Sequence, residues 1–206
     1  MDVNLLTTPE HFEAMEHNAA YAMLICHANT DKLQHEPPRA FIERAIKAGH
    51  ESILEHITLT YEVNNLSRAC LQELARHRHI SLSVESTRHT LKEFLSSEKL
   101  KIEIPDYLAG FYINQNDYEM DAADVQVITL IQTAKKYQES SDILKYFIPE
   151  FWPTNLVMTA NVRELRHIVK LRTSPAALKE FQDLARKFVE VLHDDFKYLL
   201  EDCVHE

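Results

Sequence analysis

The fourteen residues from Arg76 to His89, Arg-His-Arg-His-Ile-Ser-Leu-Ser-Val-Glu-Ser-Thr-Arg-His, gather three arginines and three histidines around a single acid. The chain as a whole carries a formal charge of −10, so this segment inverts the local sign. A guanidinium offers a planar fork that can grip a phosphate or a pair of carbonyls, and Ser81, Ser83, Ser86 and Thr87 add neutral donors at intervals. That chemistry is anion binding, and a phosphate site is the natural inference. The bland reading is a solvated basic turn paired with nearby carboxylates, because surface ion pairs contribute little. Arginines concentrate again in Asn161-Val162-Arg163-Glu164-Leu165-Arg166-His167-Ile168-Val169-Lys170-Leu171-Arg172. A guanidinium in such a block can stabilise charge that develops on a bound ligand, an effect that contributes on the order of 3 kcal/mol per preorganised donor. Ser86 invites a nucleophilic role, but no neighbour is an obvious activating base, so binding is its first assignment.

Those residues need elements to hold them. Val3–Leu6 reads as a first strand, and Thr8-Pro9-Glu10 opens a helix to about Cys26 with a cap and a proline in the first turn. A second helix starts at Glu36-Pro37-Pro38, carries Phe41, Ile42, Ala45 and Ile46 on one face, and ends at Gly49. Ile57, Leu59, Tyr61 and Val63 alternate with Thr58, Thr60 and Glu62 as in a half-buried strand. Ser67 caps a helix bearing Cys70, Leu71, Leu74 and Ala75, which delivers Arg76, His77 and Arg78 near its C-terminal end. His79–Thr90 suits an ordered loop or irregular strand, Leu91–Leu95 a short helix, and Asp106–Asn116 a loop. Helical spacing runs from Asp121 to Phe147 and stops at Pro149. Asn155–Ala160 reads as a strand, and Asn161 with Glu164 three residues on resembles a capping box. Ser174-Pro175 opens the last helix, with a stripe of Phe181, Leu184, Ala185, Phe188, Val191 and Leu192. The sum is a mostly helical α+β fold with a small central sheet in a single domain spanning 1–206.

Composition removes several function classes. Gly49 and Gly110 are the only glycines, so neither a Gly-rich dinucleotide turn nor a phosphate loop of the NTPase type can be assembled. A nucleotide has to be held by side chains and helix ends. The net charge argues against nonspecific binding to nucleic acid or an anionic membrane, both of which depend on basic surfaces. No apolar run is long enough to span a bilayer, and the first residues lack a basic leader and an apolar signal core, so a cytoplasmic location is expected. Cys26, Cys70 and Cys203 are far apart and read as reduced thiols. The chain has 12 histidines, yet their spacing builds no convincing metal site. A metal phosphohydrolase of the His-Asp type needs an upstream His and a later Asp, yet His193-Asp194 lies 12 residues from the C-terminus on the expected solvent side of the last helix, and His11, His17 and His193 suit solvated helix positions.

Arg76-His77-Arg78, then seven residues, then Ser86 and Arg88, resembles the RHR-x7-S signature of the flavin-dependent thymidylate synthases in its fuller form RHRxxSxNxxSxR, which Ser81 also fits. The blocks Gly49–His56 and Ser67–Ala75 are similar to the family's in order and spacing, and Asn161–Arg172 is similar to its NxRxLxxFLxLR helix. The resemblance implies that family's fold and a homotetramer whose sites are shared between subunits. It implies conversion of dUMP to dTMP with FAD, NADPH and methylenetetrahydrofolate. Flavin contacts carry over to Ser52, Arg76, His77, Arg78, Asn161, Arg163 and His167. Those to dUMP carry over to Glu73, Arg76, Ser86, Thr87, Arg88, Lys145 and Arg172, with Arg172 and Ser86 as catalytic candidates and no metal.

The chain departs from the family pattern at several of these places. Ser83 stands where Asn is usual, Val84 where Glu is common, His89 where Tyr is common, and Glu73 where Gln is common. Lys145 replaces an Arg, His167 an Asn, and Cys26 a Ser near the flavin. Lysine is a point charge where arginine is a fork, so the grip on the phosphate is altered. The alternatives are a related flavin- and folate-dependent C5 modification of a pyrimidine nucleotide, such as hydroxymethylation, a metal-dependent phosphohydrolase, and a helical oligomer without chemistry that uses the last helix as an interface.

Overall fold

The computed structural model describes residues 1–96, 126, 129–130, 133–134, 136 and 140–205. Its elements are β1 (Asp2–Leu5), α1 (Pro9–Ile25), α2 (Pro38–Lys47), β2 (Thr58–Ser67), α3 (Arg68–Leu74), β3 (Ile80–Val84), α4 (Thr87–Ser96), α5 (Ser141–Leu144), β4 (Pro153–Asn161), α6 (Val162–Arg172) and α7 (Lys179–Glu190), with a 3-10 segment at Glu51–His56. The strands form one sheet in the order β1-β2-β4-β3. β1 pairs antiparallel with β2, Val3 opposite Val63 and Leu5 opposite Tyr61. This is a mostly helical α+β fold with a small sheet, as the sequence predicts. Among the described residues no helix is long and apolar enough to cross a membrane.

The chain divides into two compact units. The first comprises Met1–Asn64, Glu73–Ser83 and Val157–Glu206, and the second Asn65–Gln72 and Val84–Leu156. In the first, Leu59, Tyr61 and Val63 are fully buried, following the predicted alternation. Tyr61 packs on Phe188 with ring centroids 4.8 Å apart and donates its hydroxyl to the Phe188 carbonyl at 3.2 Å, so the buried phenol is satisfied. Phe12 of α1 stacks on Phe196 at 3.6 Å. Thr8 caps α1 by accepting from the His11 N–H, Pro9 follows it, and Gly49 sits beyond α2 at φ 73°, a left-handed turn that glycine tolerates best. In the second unit the described core is Leu91, Leu130, Ala134, Leu144 and Trp152.

Besides shifts of one or two residues at strand ends, four boundaries differ from the sequence expectation, each for a local reason. β2 continues past Val63 to Ser67 because the Asn65 N–H, at φ 58°, is tied to Asn155 Oδ1 at 2.9 Å. The helix expected from Leu91 begins four residues earlier, where the Ser86 carbonyl accepts from the N–H groups of His89 and Thr90. Helix does not run unbroken to Phe147: Ser140 is extended, and its hydroxyl accepts from the Ile143 N–H to start α5. The last helix begins at Lys179 rather than at Ser174-Pro175, because Ala177 N–H closes a turn on the Ser174 carbonyl and the Gln182 amide donates to the Ala177 carbonyl at 2.9 Å. The expected loop 106–116 lies outside the described residues, as do most positions between 121 and 139.

Candidate functional site

α6 carries the second arginine-rich block. Asn161 caps it, its Oδ1 accepting from the Glu164 N–H at 2.8 Å. Only half of the expected capping box forms, because the Glu164 carboxylate turns away from the helix end to His77 Nδ1, 3.2 Å distant. His77 follows α3 and is buried, and its Nε2 lies 3.1 Å from Nε of Arg172 at the other end of α6. Arg172 Nη1 donates to Glu73 Oε2 at 3.0 Å, and the guanidinium lies over the Phe181 ring at 4.6 Å. Arg76 Nη1 approaches the same Glu73 carboxylate at 3.3 Å. Burial works against the charge on Glu73, but Arg172 and Arg76 hold its carboxyl below the usual range. His77 is pushed below the ordinary histidine value by burial and then by the Arg172 charge, against the pull of Glu164.

Beside this chain of contacts lies a cleft of about 720 Å³ whose lining includes His79, Asn161, Arg163, His167 and Lys170. Its acids are engaged: Glu55 pairs with Arg163 at 2.6 Å, and Glu51 and Asp202 pair with Arg166 at 3.0 and 2.6 Å. A second cleft, of about 610 Å³, shares His167 and Lys170 and is lined also by Arg172 and His205. Arg166 is buried and forks onto both carboxylate oxygens of Asp202 at 2.6 and 2.7 Å while its Nη1 also donates to the Leu199 carbonyl. Burial alone would weaken its charge, but the bonds to Asp202 and Glu51 more than offset that and raise its pKa. The thiol of Cys203, next to it, is pushed up to about 11 by burial.

The sequence-predicted residues separate by unit. Glu73, Arg76, His77 and Arg172 are brought together in the first, where Asn161, Arg163 and His167 line the larger cleft. Ser52 and Arg78 are exposed in that unit without joining the contacts described. In the second unit Ser86 precedes α4, Thr87 is buried, and Arg88 reaches Asp142 at 2.6 Å with both side chains exposed. Lys145 is exposed at the end of α5. Sequence reasoning does not find Glu164 as a partner of His77, or the Arg166–Asp202 fork. Asp202 is 36 residues from Arg166 in sequence, and no periodicity links them. Glu164 is visible in the sequence only as a cap, although its spacing of eight from Arg172 puts the two in the first and last turns of one helix. Among the described residues no group of three His, Cys, Asp or Glu side chains is placed to hold a metal ion.

Comparison with known proteins gives a consistent picture. The family model described as thymidylate synthase complementing protein matches residues 9–196. A flavin-dependent thymidylate synthase of Campylobacter jejuni is 39% identical over 160 residues, covering 78% of this chain and 77% of its own. One from Helicobacter pylori is 36% identical over 161 residues, covering 75% and 76%. A crystal structure of the Helicobacter pylori enzyme complexed with FAD and dUMP superposes with a TM-score of 0.84 at 30% identity, covering 100% of both chains. A UMP/dUMP methylase from Streptomyces cacaoi, bound with 5-Br dUMP, matches with a TM-score of 0.68 at 18% identity over 98% of this chain and 93% of its own, and shares the fold. With this match across most of its length, the chain belongs to the thymidylate synthase complementing protein family, that of the flavin-dependent thymidylate synthases.

Proposed function

We propose that this chain is a flavin-dependent thymidylate synthase: it methylates dUMP at C5 to give dTMP, with methylenetetrahydrofolate as carbon donor, FAD as bound cofactor and NADPH as the source of reducing equivalents. The observation that carries this reading is Arg172, held by His77, Glu73 and Phe181 while its Nη2 has no hydrogen-bond partner among the described residues. A carbon nucleophile at uracil C5 forms when negative charge is stabilised on N3 and the carbonyl oxygens. A guanidinium fixed in place before the substrate arrives stabilises that charge without having to reorganise.

The larger cleft fits a flavin dinucleotide. Its volume lies in the range of small-molecule sites, about 300–1,000 Å³, and its donors suit a diphosphate. Lys170, His79 and His167 have no ion partner among the described residues, while the acids nearby are already paired. Asn161, Arg163 and His167 would hold FAD there, with Ser52, Arg76, His77 and Arg78 as further contacts, and the flavin would supply the reducing equivalents that turn the transferred carbon into a methyl group. The resemblance assigns Ser86, Thr87, Arg88 and Lys145 to the dUMP phosphate, and it assigns Glu73, Arg76 and Arg172 to dUMP as well, with Arg172 toward the base. Ser86 acts in binding. The enzyme works as a cytoplasmic homotetramer with sites shared between subunits, so a monomer is inactive.

The test is an absorbance spectrum of the purified protein followed by flavin reoxidation with dUMP and methylenetetrahydrofolate. Bound oxidised flavin and formation of dTMP are expected. A protein that stays colourless after reconstitution and gives no dTMP refutes the assignment, and a hydroxymethylated product moves it to the sister chemistry.

A further inference from the structure

Arginine has donors and no acceptor, so the contact from Arg172 Nε obliges His77 Nε2 to accept. The ring proton of neutral His77 is then on Nδ1, where it faces Glu164 Oε1. Both ring nitrogens are committed inside the protein, and the side chain is 5% exposed. A single helix carries the two ends of this chain. Glu164 is in the first turn of α6 and Arg172 in the last, eight residues and about 12 Å apart along the axis, with the imidazole bridging them. Glu164 is free to serve here because Asn161 alone provides the helix cap.

We infer that Glu164 is a positioning residue for Arg172, acting through His77: its carboxylate selects the Nδ1–H tautomer, whose Nε2 lone pair fixes the guanidinium in the attitude the reaction uses. The catalytic consequence rests on the proposed function, whereas the tautomer does not. No proton is transferred; Glu164 contributes orientation. Without an acceptor at Nδ1 the ring can place a proton on Nε2, which opposes N–H to N–H at Arg172 and displaces the guanidinium. A displacement of about 1 Å in a reacting constellation can lower a rate on the order of a hundredfold.

Two readouts test this. Nitrogen-15 NMR of histidine-labelled, FAD-loaded protein, with His77 assigned by its loss in His77→Gln, is expected to find Nδ1 protonated and Nε2 bare at neutral pH. A proton on Nε2 overturns the inference. In steady-state assays Glu164→Gln, whose amide oxygen still accepts from Nδ1, is expected to retain most of kcat. Glu164→Leu is expected to lower kcat by about 10- to 100-fold at saturating FAD, with the KM for dUMP changed less than about threefold. Wild-type kcat in Glu164→Leu, or equal damage in Glu164→Gln, also overturns it. Should Glu164→Leu fail to fold, the wild-type ring and the Glu164→Gln kcat carry the decision. A protein that makes no dTMP yet shows the Nδ1–H ring in wild type refutes the proposed function and leaves the positioning geometry supported.

Discussion

Replacing Arg172 with alanine separates a catalytic arginine from a merely structural one. The side chain is 14% exposed, so its charge is poorly screened, and it is held by His77 at 3.1 Å, Glu73 at 3.0 Å and the Phe181 face. Losing one preorganised donor to developing charge costs about 3–4 kcal/mol, or roughly 10²–10³ in kcat. The fold loses less. Glu73 keeps Arg76, so no carboxylate is stranded, and the deficit is the unsatisfied His77 nitrogen, worth about 1–3 kcal/mol. At this chain length each kcal/mol shifts the melting temperature by about 2–4 °C. The expected result is therefore folded, flavin-loaded Arg172→Ala with kcat down by two to three orders of magnitude and KM for dUMP changed less than about threefold. Arg172→Lys should fall between, because one ammonium can keep Glu73 or His77 but lacks the fork. The assay is dTMP formation at saturating cosubstrates, with flavin absorbance and a thermal melt as controls. If kcat is preserved and KM rises tenfold or more, Arg172 supplies uniform binding only, and the role given to it is wrong.

Other perturbations address the remaining groups. Ser86→Ala should keep measurable turnover with a weaker hold on dUMP; complete loss of activity at unchanged dUMP affinity would instead make Ser86 a nucleophile. Arg88 is paired with Asp142, and a phosphate has to compete with that carboxylate. Exposed pairs of this kind contribute about 0.2–1 kcal/mol, so Asp142→Asn should tighten dUMP binding up to about fivefold by calorimetry, and weaker binding would remove Arg88 from the phosphate site. Asp202→Ala breaks the fork on Arg166 and should cost about 1–3 kcal/mol in denaturant unfolding, toward the low end because Asp202 is half exposed. Burial favours the neutral form of Asp202, but the Arg166 bonds hold its pKa below the ordinary 3.8. Its contribution is therefore complete well above pH 3.8 and is lost as pH falls through the folded value, so the wild-type and Asp202→Ala curves should converge only in acid. Curves that stay parallel to pH 2 would show that the fork does not depend on the Asp202 charge.

Periodicity locates the elements because burial dictates it: Leu59, Tyr61 and Val63 point inward every second residue, and Phe181, Leu184, Ala185 and Phe188 recur on one face of α7. Boundaries are less legible where one side chain decides them. Nothing in the pattern around Ser140 says that its hydroxyl will take the Ile143 N–H, and nothing near Asn65 says that Asn155 will hold it in the strand. The same asymmetry governs the site. Arginine density marks the two segments that hold Arg76, Arg88 and Arg172, although composition alone leaves a solvated basic turn as an equal reading, and it is the family resemblance that assigns their roles. Partner choice is invisible there, since Glu164 and Glu73 lie 87 and 99 residues from His77 and Arg172.

His77 illustrates what placement adds to identity. The resemblance expects it at the flavin, and because both ring nitrogens are spent on Glu164 and Arg172, a contact there has to use the ring face or the backbone. Buried polar chains of this kind are poor sources of net stability, because each member has been taken out of water. Their return is geometric: His77 Nδ1, Arg172 Nε and Arg172 Nη1 each meet one acceptor, so the arginine at the end has one low-energy attitude. An enzyme that must meet charge appearing on a uracil ring needs that fixed attitude more than it needs additional charge. The acidic residue at position 73, where the family commonly carries glutamine, adds a second clamp on the same guanidinium.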